Sequence, residues 1–234
     1  MILEVNDIQT FYGTSHVLFG VSLFIHEGEI VSILGRNGAG KTTTLRSIMG
    51  LTPPHSGSIK FNGLEILKKA PDFISRAGIG FVPDDRLVFP DLTVQENLNI
   101  AVKSSSSGQQ SWSLEKVYKL FPKLRILENR MGAHLSGGEA QMLTIARTLM
   151  GNPDLLLLDE PVEGLAPIVV DSLKSQIVKL KKENMTILMC EQNFNFATSL
   201  SDRVYVIDKG KIRFEGSVPD LLGNEKIRRR YLTV

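Results

Sequence analysis

Hydrophobic positions in the first sixty residues alternate with polar ones. Val21, Leu23 and Ile25 share one face of an extended segment, Glu27-Gly28 turns the chain, and Ile30–Leu34 is an apolar run ending in glycine-rich sequence. A second alternation, Ile59 and Phe61, stops at Asn62-Gly63, a strong turn signal. Further along, Ile79–Val82, Leu155–Leu158, Thr186–Met189 and Val204–Ile207 are short apolar runs separated by helical stretches. Strands buried on both faces read as unbroken apolar runs, and parallel strands need crossover helices between them. The pattern predicts an α/β core with added antiparallel strands near the amino terminus. Between about Leu92 and Met131 the texture turns polar and helical, which predicts a helical insertion. Lys103–Ser111, rich in serine, interrupts it with the composition of a solvent loop. No internal repeat of fixed period is present.

With 234 residues, 42% of them hydrophobic and 22% charged, the chain can bury a sizeable core, which excludes a disordered tail or a fibre. Lys and Arg number 27 against 25 Asp and Glu, a balance that argues against a protein coating nucleic acid. A single cysteine, Cys190, excludes a disulfide framework or a cysteine-clustered metal site and reads as a small core residue in a reducing compartment. His16, His26, His55 and His134 are scattered without metal-ligand spacing. No stretch approaches the roughly 18 apolar residues of a membrane helix, and MILEVNDIQT lacks the build of a secretion signal. The expectation is a soluble, cytoplasmic chain whose membrane contacts come through a partner. The basic stretch Lys226–Tyr231 reads as a solvated helix end rather than a lipid anchor.

Three motifs carry chemistry. Gly35-Arg36-Asn37-Gly38-Ala39-Gly40-Lys41-Thr42-Thr43 follows the Ile30–Leu34 run and matches G-x-x-x-x-G-K-[ST] between a strand and a helix. Its glycines let successive N–H groups turn toward a phosphate chain, Lys41 reaches the β- and γ-phosphates, and Thr42 offers its hydroxyl to Mg²⁺. Leu155–Leu158 delivers Asp159 and Glu160 at a strand's carboxyl end, where open α/β sheets place their ligands. Side chains alternate along a strand, so the two acids take different tasks: Asp159 in the Mg²⁺ shell, Glu160 polarising a water for attack on the γ-phosphate. Third, Ser136-Gly137-Gly138-Glu139 opens a helix with Met142, Ile145, Ala146, Leu149 and Met150 on one face. Ser136 and Glu139 are spaced as a capping box. The two glycines cost about 1 kcal/mol each relative to alanine, and close approach to another phosphate would account for them.

The phosphate loop, LSGGE and LLLLDEP, in this order and with about a hundred residues between the first and second, resemble the nucleotide-binding subunits of ABC transporters. The resemblance spans nearly the whole chain. It implies one ATP-binding domain over residues 1–234: a P-loop NTPase core with an antiparallel β subdomain in 1–91 and 132–234, and a helical subdomain made of 92–131 plus helix 136–150. It also implies ATP and Mg²⁺ as cofactors and head-to-tail pairing with a second ABC ATPase subunit. There the phosphate loop of one subunit and Ser136–Glu139 of the other enclose the nucleotide. Tyr12 resembles the aromatic that stacks on adenine. Two positions depart from the general pattern: Asp84 stands where a Mg²⁺-touching glutamine is usual, and Gln192 stands where a histidine contacts the γ-phosphate.

YGTSHVLFGVSL, VPDDRLVFPDLTVQENL, EPVEGLAPIVV and CEQNFNFA look like the subunits that serve uptake of branched-chain amino acids and, closely related, of urea and short amides. The implied partners are transmembrane permease subunits and, indirectly, a solute-binding protein outside the membrane, with the ATPase peripheral on the inner face. A soluble ABC ATPase acting on ribosomes or DNA is the alternative. The spacing from Gly35 to Ser136 leaves no room for the long coiled coil of chromosome and repair members, and the chain carries one cassette rather than two. A phosphotransferase using the same loop leaves LSGGE unexplained.

Overall fold

The computed structural model describes residues 1–102 and 112–232; the Lys103–Ser111 stretch read as a solvent loop lies outside them. A four-stranded antiparallel sheet, in the order β2-β1-β4-β5, is formed by β1 (Leu3–Tyr12), β2 (Ser15–Ile25), β4 (Ser56–Phe61) and β5 (Leu64–Glu65). The second sheet has six strands in the order β10-β9-β3-β8-β7-β6. Its parallel members are β3 (Ile30–Leu34), β6 (Ile79–Val82), β7 (Leu155–Asp159), β8 (Thr186–Glu191) and β9 (Arg203–Asp208). At its edge, β10 (Lys211–Ser217) runs antiparallel to β9. The apolar runs do not reveal β10, because its residues alternate between exposed and half-buried.

Alternate side chains of the central strands feed two cores. Leu155 and Leu157 pack with Val31, Ile33 and the antiparallel sheet, covered by helix α1 (Lys41–Ile48). Leu156 and Leu158 pack with α6 (Gly137–Met150) and α7 (Pro167–Lys182). Every residue of β3, β7 and β8 is buried. Full burial of each aliphatic side chain contributes roughly 2 kcal/mol, so the strand ends that carry the site are among the least deformable points of the chain. Cys190 is one of these buried residues.

Between Leu92 and Met131 lie α3 (Val94–Asn99), α4 (Leu114–Leu120) and α5 (Pro122–Ile126). They add Leu98, Val117, Phe121 and Leu124 to the core shared with α6. A capping box of Thr93 and Glu96 starts α3. Of the remaining helices, α2 (Pro71–Ala77) precedes β6, α8 (Phe194–Thr198) joins β8 to β9, and α9 (Val218–Gly223) and α10 (Glu225–Tyr231) follow β10; α10 holds the basic stretch with none of its residues buried.

Candidate active site

The carboxyl ends of β3, β7 and β8 converge on one point. From β3 the chain turns through Gly35–Gly40 into α1, whose amino end carries no side-chain cap and no acidic residue in its first turn. Gly40, at φ +111°, takes a conformation that side chains rarely adopt. Within the loop Ala39 N–H donates to the Arg36 carbonyl at 3.1 Å, Asn37 and Gly38 are exposed, and Thr43 is buried. The first-turn N–H groups of α1 have no carbonyl four residues back, and the helix dipole adds positive potential there.

Lys41 is 3% exposed. Its ammonium donates to the carbonyls of Gly35 (2.9 Å) and Arg36 (3.2 Å) and pairs with Glu160 Oε1 at 2.9 Å. Thr42 Oγ1 donates to Asp159 Oδ1 at 3.1 Å, while Asp159 Oδ2 is buried with no partner among the described residues. Burial pushes the Asp159 carboxyl up to about 7, the charges of Asp84 and Glu160 push the same way, and the Thr42 hydroxyl and Lys41 oppose them. A hydroxyl beside a carboxylate with one oxygen unsatisfied is a donor set that fits a hard divalent cation. The open helix end beside a buried lysine fits a phosphate chain.

A cavity of about 560 Å³ opens beside Glu160 and is lined by Glu163, Glu191, Gln192 and Asn193. Neither Glu163 nor Glu191 is among the acids singled out from the sequence. Glu191 ends an apolar strand; its Oε2 accepts the Asn193 N–H at 3.1 Å and its Oε1 is buried without a partner among the described residues. Burial lifts its carboxyl to about 7, against the Asn193 hydrogen bond and with the Glu160 charge adding. Glu163 is also raised, by a hydrogen bond to Glu160 and by that group's charge. An acid closing a fully buried, largely apolar strand was the available clue for Glu191.

The structure thus gathers Gly35–Thr43, Asp84, Asp159, Glu160 and Gln192 around one site. Ser136–Glu139 stand elsewhere, at the start of α6, between Arg86 and Lys123. Glu139 Oε2 accepts the Ser136 N–H at 2.8 Å, Ser136 Oγ accepts the Glu139 N–H at 3.4 Å, and Lys123 Nζ lies 3.1 Å from Glu139 Oε1. Burial works against ionisation of Glu139, but these partners hold its carboxyl below the usual carboxylate range. Gly138 has a reason inside the chain: a Cβ there would stand 2.7 Å from Val169 Cγ1 of α7. Gly138 therefore does not by itself point to a phosphate. Tyr12, at the end of β1, is 46% exposed, and its hydroxyl accepts a hydrogen bond from Thr52 at 3.3 Å.

A phosphate loop at the end of a parallel strand, with an acid pair at the end of another, defines a P-loop ATPase core. The chain belongs to the ABC transporter family, whose model matches residues 18–163. It is 40% identical over 231 residues, 99% of each chain, to the high-affinity branched-chain amino acid transport ATP-binding protein BraG of Pseudomonas aeruginosa. To the lipopolysaccharide export system ATP-binding protein LptB of Haemophilus influenzae it is 33% identical, over 99% of this chain and 97% of LptB. Among solved structures it is similar to the ADP conformation of MJ1267, an ATP-binding cassette of an ABC transporter: TM-score 0.81, 28% identity, 97% of each chain. The dimeric post-hydrolysis state of the cassette MJ0796 with ADP and Pi gives TM-score 0.78 at 26% identity, over 92% of this chain and 98% of that one. The chain is an ATP-hydrolysing subunit of an ABC transporter.

Proposed function

We infer that this ATPase powers a membrane importer of branched-chain amino acids or related apolar and amide solutes. The likeness to BraG over the full length of both chains supports the import reading. The weaker likeness to LptB makes lipopolysaccharide export the competing outcome.

In this reading the backbone of Gly35–Thr43 and the Lys41 ammonium hold the ATP phosphates, and Tyr12 stacks on adenine. Thr42, Asp159 and Asp84 hold Mg²⁺, which supplies charge neutralisation at the phosphate oxygens. Before nucleotide arrives Lys41 is paired with Glu160; binding draws the ammonium to phosphate and frees the Glu160 carboxylate to polarise a water. Gln192 contacts the γ-phosphate through its amide. Ser136–Glu139 serve the nucleotide of a second ATPase subunit, which makes the working unit a dimer.

No helix among the described residues is long and apolar enough to cross a membrane. Permease subunits supply that path, and the chain sits at the inner face of the cell membrane. A groove of about 430 Å³ between β6 and the helical part, lined by Phe81, Phe89, Ile100 and Arg147, offers an apolar seat for a cytoplasmic helix of the permease. Leu87 and Val102 stand exposed nearby in sequence. The helical subdomain, 92–131 with 136–150, then forms one wall of the coupling site. A solute-binding protein outside the membrane delivers cargo to the permease.

The test is ATP-driven uptake of labelled leucine, isoleucine and valine by vesicles that hold this chain with its permease subunits and binding protein. The reading expects uptake that is lost in Lys41→Ala. Uptake of urea instead, or ATP-driven release of lipopolysaccharide, would replace the assigned solute.

A further inference from the structure

The loop from Asp84 to Leu92, between β6 and α3, is held by side chains that the phosphate site does not use. Asn97 of α3, fully buried, accepts the Phe89 N–H at 2.9 Å. Its amide donates to the carbonyls of Phe89 (3.0 Å), Leu92 (3.1 Å) and Thr93 (3.0 Å). From α6, Arg147 donates to the Leu87 carbonyl and lies 5.0 Å over the Phe89 ring. The loop is therefore tied to the helical part of the chain rather than being free coil.

Arg86 reaches out of this loop in the other direction. Its guanidinium donates to the main-chain carbonyl of Glu163. Nη1 lies 3.0 Å from the point where a Cβ on Gly137 would stand, and Nη2 lies 3.9 Å from the same point on Gly164. Glycine at 137 leaves the guanidinium its room, while a Cβ at 164 would only touch it. Glu163 N–H donates in turn to the Glu160 carbonyl at 3.1 Å, and Glu160 N–H to the Cys190 carbonyl at 3.0 Å. The Glu160–Glu163 turn is thus fixed at its start by β8 and at its end by Arg86. Both Arg86 (φ +50°) and Glu160 (φ +42°) hold left-handed backbone conformations that residues with a side chain rarely adopt. Such conformations persist where the surroundings over-determine them.

We propose that Arg86 is a positioning residue for ATP hydrolysis, bracing the Glu160–Gly164 turn against the loop that carries Asp84 and so setting where the Glu160 carboxylate stands. The proposal rests on the reading of Glu160 as the group that polarises the attacking water. It gives the groove at Phe89 a mechanical link to that carboxylate: a shift of the Asp84–Leu92 loop carries Arg86, and Arg86 carries the turn. The arginine makes no contact with Gly35–Thr43, so its loss is expected to separate turnover from binding at that loop.

The experiment measures phosphate release and equilibrium binding of a fluorescent ATP analogue with the purified full chain, its Arg86→Ala and Arg86→Lys variants, and Glu160→Gln in parallel. Arg86→Ala is expected to lower kcat about tenfold, the scale of a lost supporting contact, with KM and analogue affinity within about twofold of wild type. Arg86→Lys, which keeps one donor for one carbonyl, is expected to recover at least half of the lost rate. Wild-type kcat in Arg86→Ala while Glu160→Gln is inactive would overturn the role of Arg86 alone. Wild-type turnover in Glu160→Gln would overturn the reading of Glu160 and this proposal with it. A loss confined to KM would also overturn it. If Arg86→Ala melts below the assay temperature, Arg86→Lys decides: folded and no faster than about a tenth of wild type, it rejects the brace as a matter of one hydrogen bond.

Discussion

Two helices begin at the chemistry of this chain, and they begin in opposite ways. At α1 the cap is Gly40, no side chain accepts from the first turn, and no acid stands in it. At α6 the cap is Ser136, which exchanges hydrogen bonds with Glu139, and Lys123 neutralises that acid from outside. The first end leaves its donors to a ligand; the second satisfies its own. At α1, Lys41 and the loop are already gathered around the uncapped helix start. At α6 a carboxylate three residues into the helix closes the capping box from within the chain.

Three substitutions probe the contrast, from the largest effect to the smallest. Glu160→Gln removes the carboxylate paired with Lys41 at the α1 end. Hydrolysis should fall at least about 10²-fold while ATP binding is kept or strengthened, as phosphate-release and binding assays would read. Equal turnover in the variant would separate the α1 site from the chemistry.

Glu191→Gln tests the buried acid behind the same end. In the folded chain this carboxyl keeps its proton to about pH 7, whereas its ordinary value is 4.5. The folded state therefore binds the extra proton between those values, and its stability falls as pH rises through that window and stays low above it. The neutral amide escapes that loss. Thermal melts should show Glu191→Gln gaining on wild type by on the order of 2–3 kcal/mol at pH 8.5 and by little at pH 4.5. A gain independent of pH would mean the carboxylate is solvated after all.

Gly138→Ala tests the α6 end. Alanine favours a helix by about 1 kcal/mol over glycine, but here its Cβ would stand 2.7 Å from Val169 Cγ1. The stiff valine has to give, and a net loss of about 1 kcal/mol is expected, reversed in Gly138→Ala with Val169→Ala. Chemical denaturation of the two variants measures it. A stabilised single variant would return the glycine to a reason outside the chain.

The phosphate loop, the Asp159-Glu160 pair and the capping box of Ser136 were legible in the sequence because each is a local rule. A turn needs glycine, a parallel strand needs an apolar run, and a helix start needs a donor's partner within three residues. The parallel strands were legible for the same reason, since burial on both faces leaves an unbroken apolar stretch. β10 was not, because a half-exposed edge strand has no such stretch. The roles of Glu191, Asn97 and Arg86 were not legible, for a different reason. A buried acid, a buried amide and a left-handed arginine are ordinary residues until distant segments close around them. Which carbonyl Arg86 meets, and which carboxylates share the space around Lys41, depend on contacts between residues about forty to more than a hundred positions apart. Local patterning fixes conformation over a few residues, and only the packing of the sheet and helices decides which of those residues become neighbours.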